Sequence, residues 1–382
     1  MTDIKVLPGL SRLDEAEKLL AGRRLGLLTT PAAVDHTFTD AITVLGRRFT
    51  LTALFSPEHG VRGDQQAGVD IPTCTDSVTG LPVYSLYHGD QQGMTPEMTE
   101  TFDLLVVDVQ DVGCRFYTYL AALMSCMTAC AAAGKPLLVL DRPNPAGCET
   151  VEGTLPQPGH RSIVCAWEMP QRTGLTLGEF ARMVNSKEKI GCELHVLPVA
   201  GLRRSHSWAD TGCCYINASP NLPTIQSVLL YSGTCLLEGT CLSEGRGTTH
   251  PFEMVGAPWL NPMELAETMN SYGLPGVHFR PVWFSPTFSK HQGQVCGGVQ
   301  IHLLDEKILR PVETGLRLLW AMEERSPKED FWIKGAHGGW FIDQLMGSSE
   351  LRQSPDREAL IRRTASEAAA FREASRPYWL YE

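Results

Sequence analysis

Short apolar runs, each followed by polar or turn-forming residues, recur along the first part of the chain. Arg24–Leu28, Leu51–Phe55, Asp103–Val109 and Leu137–Leu140 are runs of this kind. DLLVVDV, at Asp103–Val109, is almost continuously apolar, which is typical of a strand buried on both faces. In the Leu51 run the strand must stop at Pro57, because proline cannot donate to a sheet ladder. The pattern therefore predicts buried strands that each end in a polar loop.

A helix is predicted between the two later strands. Tyr117–Ala133 is rich in Ala, Leu and Met, and Gly134 occupies the position at which helices commonly end. Strand, helix and strand with short joints form a βαβ unit, and repeats of this unit build a parallel sheet. We predict an α/β fold with a Rossmann-like, doubly wound parallel sheet over residues 1–260, and a smaller C-terminal α/β domain over residues 261–382.

The composition of the chain argues against some classes of binding partner and favours some compartments. The 382 residues carry a net charge of −10, which argues against nucleic acid or an anionic membrane as the partner. The chain contains no apolar run of eighteen residues and no visible signal peptide. Twelve cysteines are scattered without a C-x-x-C pair, which favours buried thiols in a reducing compartment. We expect a cytoplasmic protein, or a periplasmic or secreted one if a signal has been removed.

Several cofactor and nucleophile motifs are missing from the sequence. It has no G-x-G-x-x-G after a strand, no G-x-x-x-x-G-K-[ST], no G-x-S-x-G and no H-E-x-x-H. A dinucleotide, a phosphate-binding loop, a serine nucleophile of the α/β-hydrolase kind and a local zinc site are therefore not supported. We expect no cofactor and no metal.

The residues that follow the predicted strands are rich in groups that can do chemistry. They are Thr29 and Thr30, then Glu58, His59 and Arg62, then Asp111 and Arg115, and last Asp141, Arg142 and Asn144. In an open α/β sheet, loops at the carboxyl ends of the strands form the ligand crevice. Carboxylates, arginines and tyrosines suit glycoside hydrolysis, but they equally suit a protein that binds an anionic sugar.

Longer motifs add a family resemblance along most of the chain. They are SPEHGVRGDQQAG (Ser56–Gly68), DVQDVGCRFYTY (Asp108–Tyr119), DRPNPAG (Asp141–Gly147), VEG (Val151–Gly153), SPNLPT (Ser219–Thr224), EGTCLSEGRGTTHPFE (Glu238–Glu253) and FSPTFSKHQGQVCGGVQIH (Phe284–His302). Together they resemble the NamZ-like exo-β-N-acetylmuramidases. The resemblance implies release of N-acetylmuramic acid from the non-reducing end of peptidoglycan fragments, by a Rossmann-like catalytic domain with a smaller C-terminal domain.

The resemblance also implies roles for individual residues. The glutamate of its SPEHG motif, the proposed catalytic carboxylate of the family, corresponds to Glu58. As a general acid, Glu58 would need burial to raise its pKa, and His59 could hydrogen-bond to it. Candidates for the second group are Glu244, Asp111 and Glu152, with Tyr117 or Tyr119 as an alternative nucleophile. The candidate substrate-binding residues are Arg62, Arg115, Tyr119, Asp141, Arg142, Asn144, Arg246 and Thr248, and the arginines among them could hold the lactyl carboxylate of a small muramic-acid saccharide or muropeptide.

Two positions depart from the pattern of the family. Thr30-Pro31 stands where Asn-Pro is expected, and Arg172-Thr173-Gly174 stands where Arg-His-Gly is expected. A shift in specificity would follow if either position touches substrate. Two other functions stay open, namely a non-catalytic muropeptide or sugar-acid binding protein and a different hydrolase, such as an amidase or esterase.

Overall fold

The computed structural model describes residues 6–58, 60–63, 73–88, 91–335 and 338–382. Its strands are β1 (Arg24–Thr29), β2 (Thr50–Ser56), β3 (Cys74–Thr75), β4 (Pro82–Ser85), β5 (Tyr87–His88), β6 (Gln91–Gln92), β7 (Leu104–Asp108), β8 (Leu137–Leu140), β9 (Leu194–Leu197), β10 (Met254–Ala257), β11 (Val277–Phe284) and β12 (Cys296–Leu303). Its α-helices are α1 (Glu17–Leu20), α2 (Ala41–Gly46), α3 (Pro96–Thr99), α4 (Tyr119–Ala133), α5 (Leu177–Lys187), α6 (Trp208–Thr211), α7 (Ile225–Thr234), α8 (Pro262–Ser271), α9 (Pro311–Glu323), α10 (Phe341–Met346), α11 (Glu350–Gln353) and α12 (Arg357–Ser375).

Seven strands within the described ranges form the main sheet, in the order β3-β4-β2-β1-β7-β8-β9. All neighbouring pairs are parallel except β3 and β4. The chain builds outward from β1 through β2 to β4, and then returns to place β7 on the other side of β1. The predicted doubly wound, Rossmann-like sheet is confirmed, and its strand order reverses between β1 and β7.

Both faces of this sheet are covered, as the apolar runs predicted. Along β7, Leu105 and Val107 pack into a core with α4 and α5, whereas Leu104 and Val106 pack into a second core with α2 and the N-terminal helical segment. This alternation follows from the two-residue side-chain period of a strand. The helical spacing of the apolar residues in Ser11–Ala21 predicts one helix there. The structure instead has a 3₁₀ helix over Gly9–Ala16 with a kink at Arg12, followed by α1.

The C-terminal part contains a second, antiparallel sheet in the order β10-β12-β11. Its helix α9 meets α7 at a close crossing, where a Cβ on Gly233 would lie 1.9 Å from the carbonyl oxygen of Pro311. Glycine at this position lets the two backbones touch. Residues of both parts share one apolar core. Since β10 precedes residue 261 but joins this sheet, the exact boundary of the two domains stays a prediction.

Candidate active site

The carboxyl ends of the parallel strands bring the predicted chemistry to one edge of the sheet. Thr30 follows β1, Glu58 follows β2, Asp111 follows β7, and Asp141 follows β8. The reversal of strand order between β1 and β7 marks the place where ligands bind in open α/β sheets. Glu58 and Asp111 lie on the two sides of that place.

Glu58 is half-buried and contacts the start of α4. The hydroxyl of Thr118, the N-cap residue of α4, donates to Glu58 Oε2 at 2.9 Å. The hydroxyl of Tyr119 lies 3.5 Å from the carbonyl oxygen of Glu58. The carboxylate therefore lies at the N-terminal end of a 15-residue helix. His59, its neighbour in the sequence, lies outside the described residues.

Three tyrosines lie close enough to this carboxylate to feel its charge; Tyr117 and Tyr119 are buried, and Tyr87 is half-buried. The rings of Tyr117 and Tyr119 lie 4.5 Å apart, and both hydroxyls donate to the carbonyl oxygen of Ala218, at 2.6 and 3.1 Å. Burial raises the pKa of Tyr117, Tyr119 and Tyr87 above the usual value, and the negative charge of Glu58 adds to each shift. These phenols stay protonated at neutral pH, which suits hydrogen-bond donors and opposes a tyrosinate nucleophile.

Asp111 is a second carboxyl group at the same edge. It is fully enclosed; Oδ2 accepts from the amide of Gly113 at 2.7 Å, and Oδ1 has no hydrogen-bond partner within the part of the chain that the structure describes. Burial raises the pKa of Asp111 to about 7, against the lowering effect of the backbone amides. Asp111 can therefore exchange a proton near neutral pH.

The predicted residues after β8 hold the loop together. Asp141 accepts from the hydroxyls of Thr176 and Tyr381 and from the amide of Gly178, and burial raises its pKa to about 6. Arg142 forms a buried two-point ion pair with Asp108, and Asn144 bonds Leu175 O and the amide of Ala146. These three side chains are engaged in the architecture of the edge.

Two further predicted residues are placed away from this edge. Glu152 is buried and accepts from the amides of Val312 and Glu313 at the start of α9, and burial raises its pKa to about 7. Arg115 is 0% exposed. Its two terminal nitrogens donate to four carbonyl oxygens, those of Thr154, Met169, Leu345 and Met346. Both residues join the N-terminal part to the C-terminal part.

Glu244, Arg246 and Thr248 lie in the loop before β10. Lys290 donates to Glu244 at 3.0 Å, Arg246 pairs with Glu244 and Glu238, and Thr248 donates to Gly245 O at 2.6 Å. The hydrogen bonds and ion pairs of these side chains run among themselves and to nearby carbonyl oxygens. In this arrangement Glu244 is a buried partner for two cations.

Arg62 lies near Glu58 in the sequence and is exposed. Its guanidinium binds Asp76 at two points, at 3.0 and 2.8 Å. These hydrogen bonds with Arg62 lower the pKa of Asp76 to about 2. Arg62 therefore ties the loop after β2 to the segment that leads into β4.

The sequence reasoning missed Thr118 and Tyr87 as site residues. Thr118 stands in a quoted motif and in the first turn of the helix predicted over Tyr117–Ala133, so its position was a usable signal. Tyr87 stands outside the quoted motifs, so it carried a weaker signal. At the two departures from the family pattern, the buried hydroxyl of Thr30 has no partner among the described residues, whereas the Thr173 hydroxyl lies 3.4 Å from Gly113 O.

Two general features concern metals and membranes. Within the described ranges, no group of three or more His, Cys, Asp or Glu side chains could hold a metal ion. None of the helices in those ranges is long and apolar enough to cross a membrane.

Comparison with known proteins places this geometry in a family. Residues 25–226 match the N-terminal model of the exo-β-N-acetylmuramidase NamZ, and residues 229–381 match its C-terminal model. The peptidoglycan β-N-acetylmuramidase NamZ of Bacillus subtilis (strain 168) is 41% identical over 352 residues, which are 91% of this chain and 84% of the relative.

Two solved structures from Bacteroides fragilis NCTC 9343, both described as DUF1343 family proteins, have the same fold. One has a TM-score of 0.91 at 35% identity, with 99% of this chain and 100% of that chain covered. The other has a TM-score of 0.77 at 27% identity, with 99% of each chain covered. By the match of both of its parts and by its identity to a curated relative, the chain belongs to the NamZ family of exo-β-N-acetylmuramidases.

Proposed function

We propose that this protein is an exo-acting glycoside hydrolase that releases N-acetylmuramic acid from the non-reducing end of peptidoglycan fragments. The observation that carries the proposal is the half-buried carboxylate of Glu58 at the strand-order reversal, in a chain whose two parts both match the family. Its B. subtilis relative is named as a peptidoglycan β-N-acetylmuramidase.

Glu58 is the general acid of the proposal. In glycoside hydrolysis a carboxylic acid protonates the leaving oxygen while positive charge develops on the sugar ring. The hydroxyl of Thr118 orients the Glu58 carboxyl group, and this restricts the direction from which a proton can be transferred. The neutral side chains of Tyr117 and Tyr119 are buried beside it.

Asp111 is the second carboxyl of the proposal. Of the three candidate carboxylates, Glu152 accepts hydrogen bonds from two backbone amides of a helix, and Glu244 forms ion pairs with two cations. Asp111 keeps an oxygen without a protein partner in the described chain, and its pKa of about 7 suits a group that takes a proton from water. This placement supports Asp111 as the base that acts together with Glu58.

Binding of the lactyl carboxylate of muramic acid requires a positively charged side chain. Arg115 and Arg142 are buried and bound to protein oxygens, and Arg246 pairs with Glu238 and Glu244. Arg62 is the exposed member of the four candidates and follows Glu58 by four residues. Arg62 also bonds Asp76 at two points, but its side chain is exposed and can meet a substrate, so we assign the lactyl carboxylate to Arg62.

We place the protein in a reducing compartment. All twelve cysteines are free thiols, including the exposed Cys74 and Cys214. Exposed thiols of this kind persist where glutathione and thioredoxin keep them reduced. Short muramic-acid saccharides or muropeptides present in that compartment are the proposed substrates.

The test compares an aryl β-N-acetylmuraminide with the matching aryl β-N-acetylglucosaminide, which lacks only the lactyl ether. Wild-type protein should release the chromophore from the first and not from the second. Glu58→Gln should abolish release, whereas Glu350→Gln, at a half-buried glutamate that pairs with Arg363, should keep it. Tight binding of muramic acid by wild type and Glu58→Gln alike, without turnover by either, would instead establish a binding protein.

A further inference from the structure

A second cavity lies between the loop after β8 and the segment that precedes α9. Its volume is about 390 Å³. Its lining includes Ala146 and Glu149 from that loop, Ser207 and Trp208 at the start of α6, and Lys307 from the C-terminal part. Glu58, its neighbours Thr118 and Tyr119, and Asp111 do not line it, so it is separate from these residues of the proposed catalytic site.

Arg172 is the main polar feature of this cavity. Its side chain is enclosed, with the residue 5% exposed, and Nη2 donates to the carbonyl oxygen of Ala146. Nε and Nη1 have no hydrogen-bond partner among the residues that the structure describes. Burying charged donors without acceptors is unfavourable, so these two groups are suited to an acceptor that comes from outside the protein.

The carboxylate of Glu152 does not satisfy Arg172. It attracts the guanidinium, but its oxygens accept from the backbone amides of Val312 and Glu313. Burial outweighs this attraction and lowers the pKa of Arg172 to about 10, which leaves it charged at neutral pH. The cavity therefore contains a buried positive charge that lacks a bonded counter-ion in the described chain.

Other basic groups line the same cavity. Arg204 bonds Glu179 and two carbonyl oxygens, but its buried Nε is unpartnered in the described ranges. Lys307 and Arg310 contribute two exposed cations, and Glu149 and Glu306 contribute two carboxylates. Since Arg204 is paired with Glu179, three basic lining side chains remain against two acidic ones, a small local excess of positive charge in a protein whose net charge is −10.

We propose that this cavity binds a small molecule through an oxyanion, either a carboxylate or a phosphate group. Nε and Nη1 of the Arg172 guanidinium each carry an N–H without an acceptor in the described chain, and the oxygens of such a group can accept from them. The volume exceeds that of an isolated anion and falls in the range of small-molecule sites. The ligand is held between the two parts of the chain, and this role is independent of glycoside hydrolysis.

The test measures binding by calorimetry at low ionic strength, where exposed charges are least screened. The probes are inorganic phosphate, N-acetylmuramic acid as a carboxylate sugar, and neutral N-acetylglucosamine. Wild type should bind at least one anionic probe saturably and should not bind the neutral sugar in this cavity. Phosphate binding that Arg172→Gln or Lys307→Gln/Arg310→Gln weakens identifies a phosphate ligand of the cavity. N-acetylmuramic acid binding that the same variants weaken identifies a carboxylate ligand, whereas binding that they leave unchanged is at the proposed catalytic site.

The variants locate that binding. The double variant Lys307→Gln/Arg310→Gln changes exposed residues only, and Arg172→Gln changes the buried donor. Each should weaken the binding of the anionic probe by about tenfold or more, because the anion loses a charged partner. The control Lys18→Gln/Arg362→Gln removes the same charges at exposed positions elsewhere and should bind as wild type does.

Thermal unfolding of every variant without ligand checks the fold, and the surface double variant keeps the test valid if Arg172→Gln is unstable. The proposal is overturned if neither anion binds. It is also overturned if an anion binds equally well to wild type and the surface double variant, since its site would then lie elsewhere. Neither outcome depends on turnover, so the hydrolase proposal stands or falls separately.

Discussion

The edge around Glu58 and the loop after β8 carry the same kinds of residue but differ in how those residues are partnered. After β8, Asp141 receives three donors and Arg142 is locked to Asp108, both in nearly complete burial. After β2, Glu58 is half-buried and lies beside buried neutral tyrosines. Charged groups that are enclosed and fully bonded hold the fold, whereas a carboxyl group that reaches a crevice can meet a substrate.

The largest expected effect separates Glu58 from Glu244. Glu58→Gln should lower kcat/KM on the aryl muraminide by about 10²- to 10⁴-fold, because general acid catalysis is lost. Glu244→Gln should instead lower the free energy of unfolding, since it weakens contacts to Lys290 and Arg246. Enzyme kinetics and thermal unfolding of both variants measure this contrast, and equal loss of activity in two folded variants would contradict it.

Arg115 tests whether enclosed and fully bonded charged groups stabilise the fold. Arg115→Met should lower the free energy of unfolding by about 3 kcal/mol or more, because four buried carbonyl oxygens lose a charged donor. The exposed pair of Arg362 and Asp356 is the contrasting case, and Arg362→Met should cost only about 1 kcal/mol or less. Urea unfolding measures both, and a smaller cost for Arg115→Met would show that its bonds add little stability.

Asp111 tests the pH dependence that burial imposes. Its pKa in the folded state is about 7, against an ordinary value of 3.8, so the folded state retains the proton more strongly than the unfolded chain does. The resulting destabilisation is absent below about pH 4, grows as the pH rises to about 7, and is constant above that.

Asp111→Asn removes this effect. The variant should therefore be more stable than wild type at pH 8 by roughly 1–3 kcal/mol, and the difference should disappear near pH 4. It should also lose activity if Asp111 is the base. Unfolding curves at several pH values measure the first expectation, and a stability difference that does not vary with pH would refute it.

Substitution of Thr118 should give the smallest effect, and it tests how the Glu58 carboxyl group is positioned. Thr118→Val keeps the shape but removes the hydroxyl that donates to Glu58, and should lower kcat by about tenfold. Thr118→Ser keeps the donor and should remain within a few-fold of wild type. If the serine variant were as slow as the valine variant, packing of the methyl group, not the hydrogen bond, would matter.

Local features of the fold were predictable because they depend on neighbours in the sequence. The continuous apolar run at Asp103–Val109 predicted strand β7, which covers Leu104–Asp108. Thr176 and Glu179 have the spacing of a capping box, which predicts the start of a helix, and both bonds of that box are present in α5. The Rossmann-like sheet and the NamZ family were also predicted correctly, because hydrophobic periodicity and motifs can be recognised from the order of the residues.

The partners of the charged residues were not predictable in this way. Arg115 and Arg172 are both buried arginines in quoted stretches, yet one meets four carbonyl oxygens from distant segments and the other faces a cavity. Sequence by itself determined where carboxylates and cations follow the strands. Only the tertiary structure decided which of them are neutralised, because burial and hydrogen-bond partners come from residues far away in the chain.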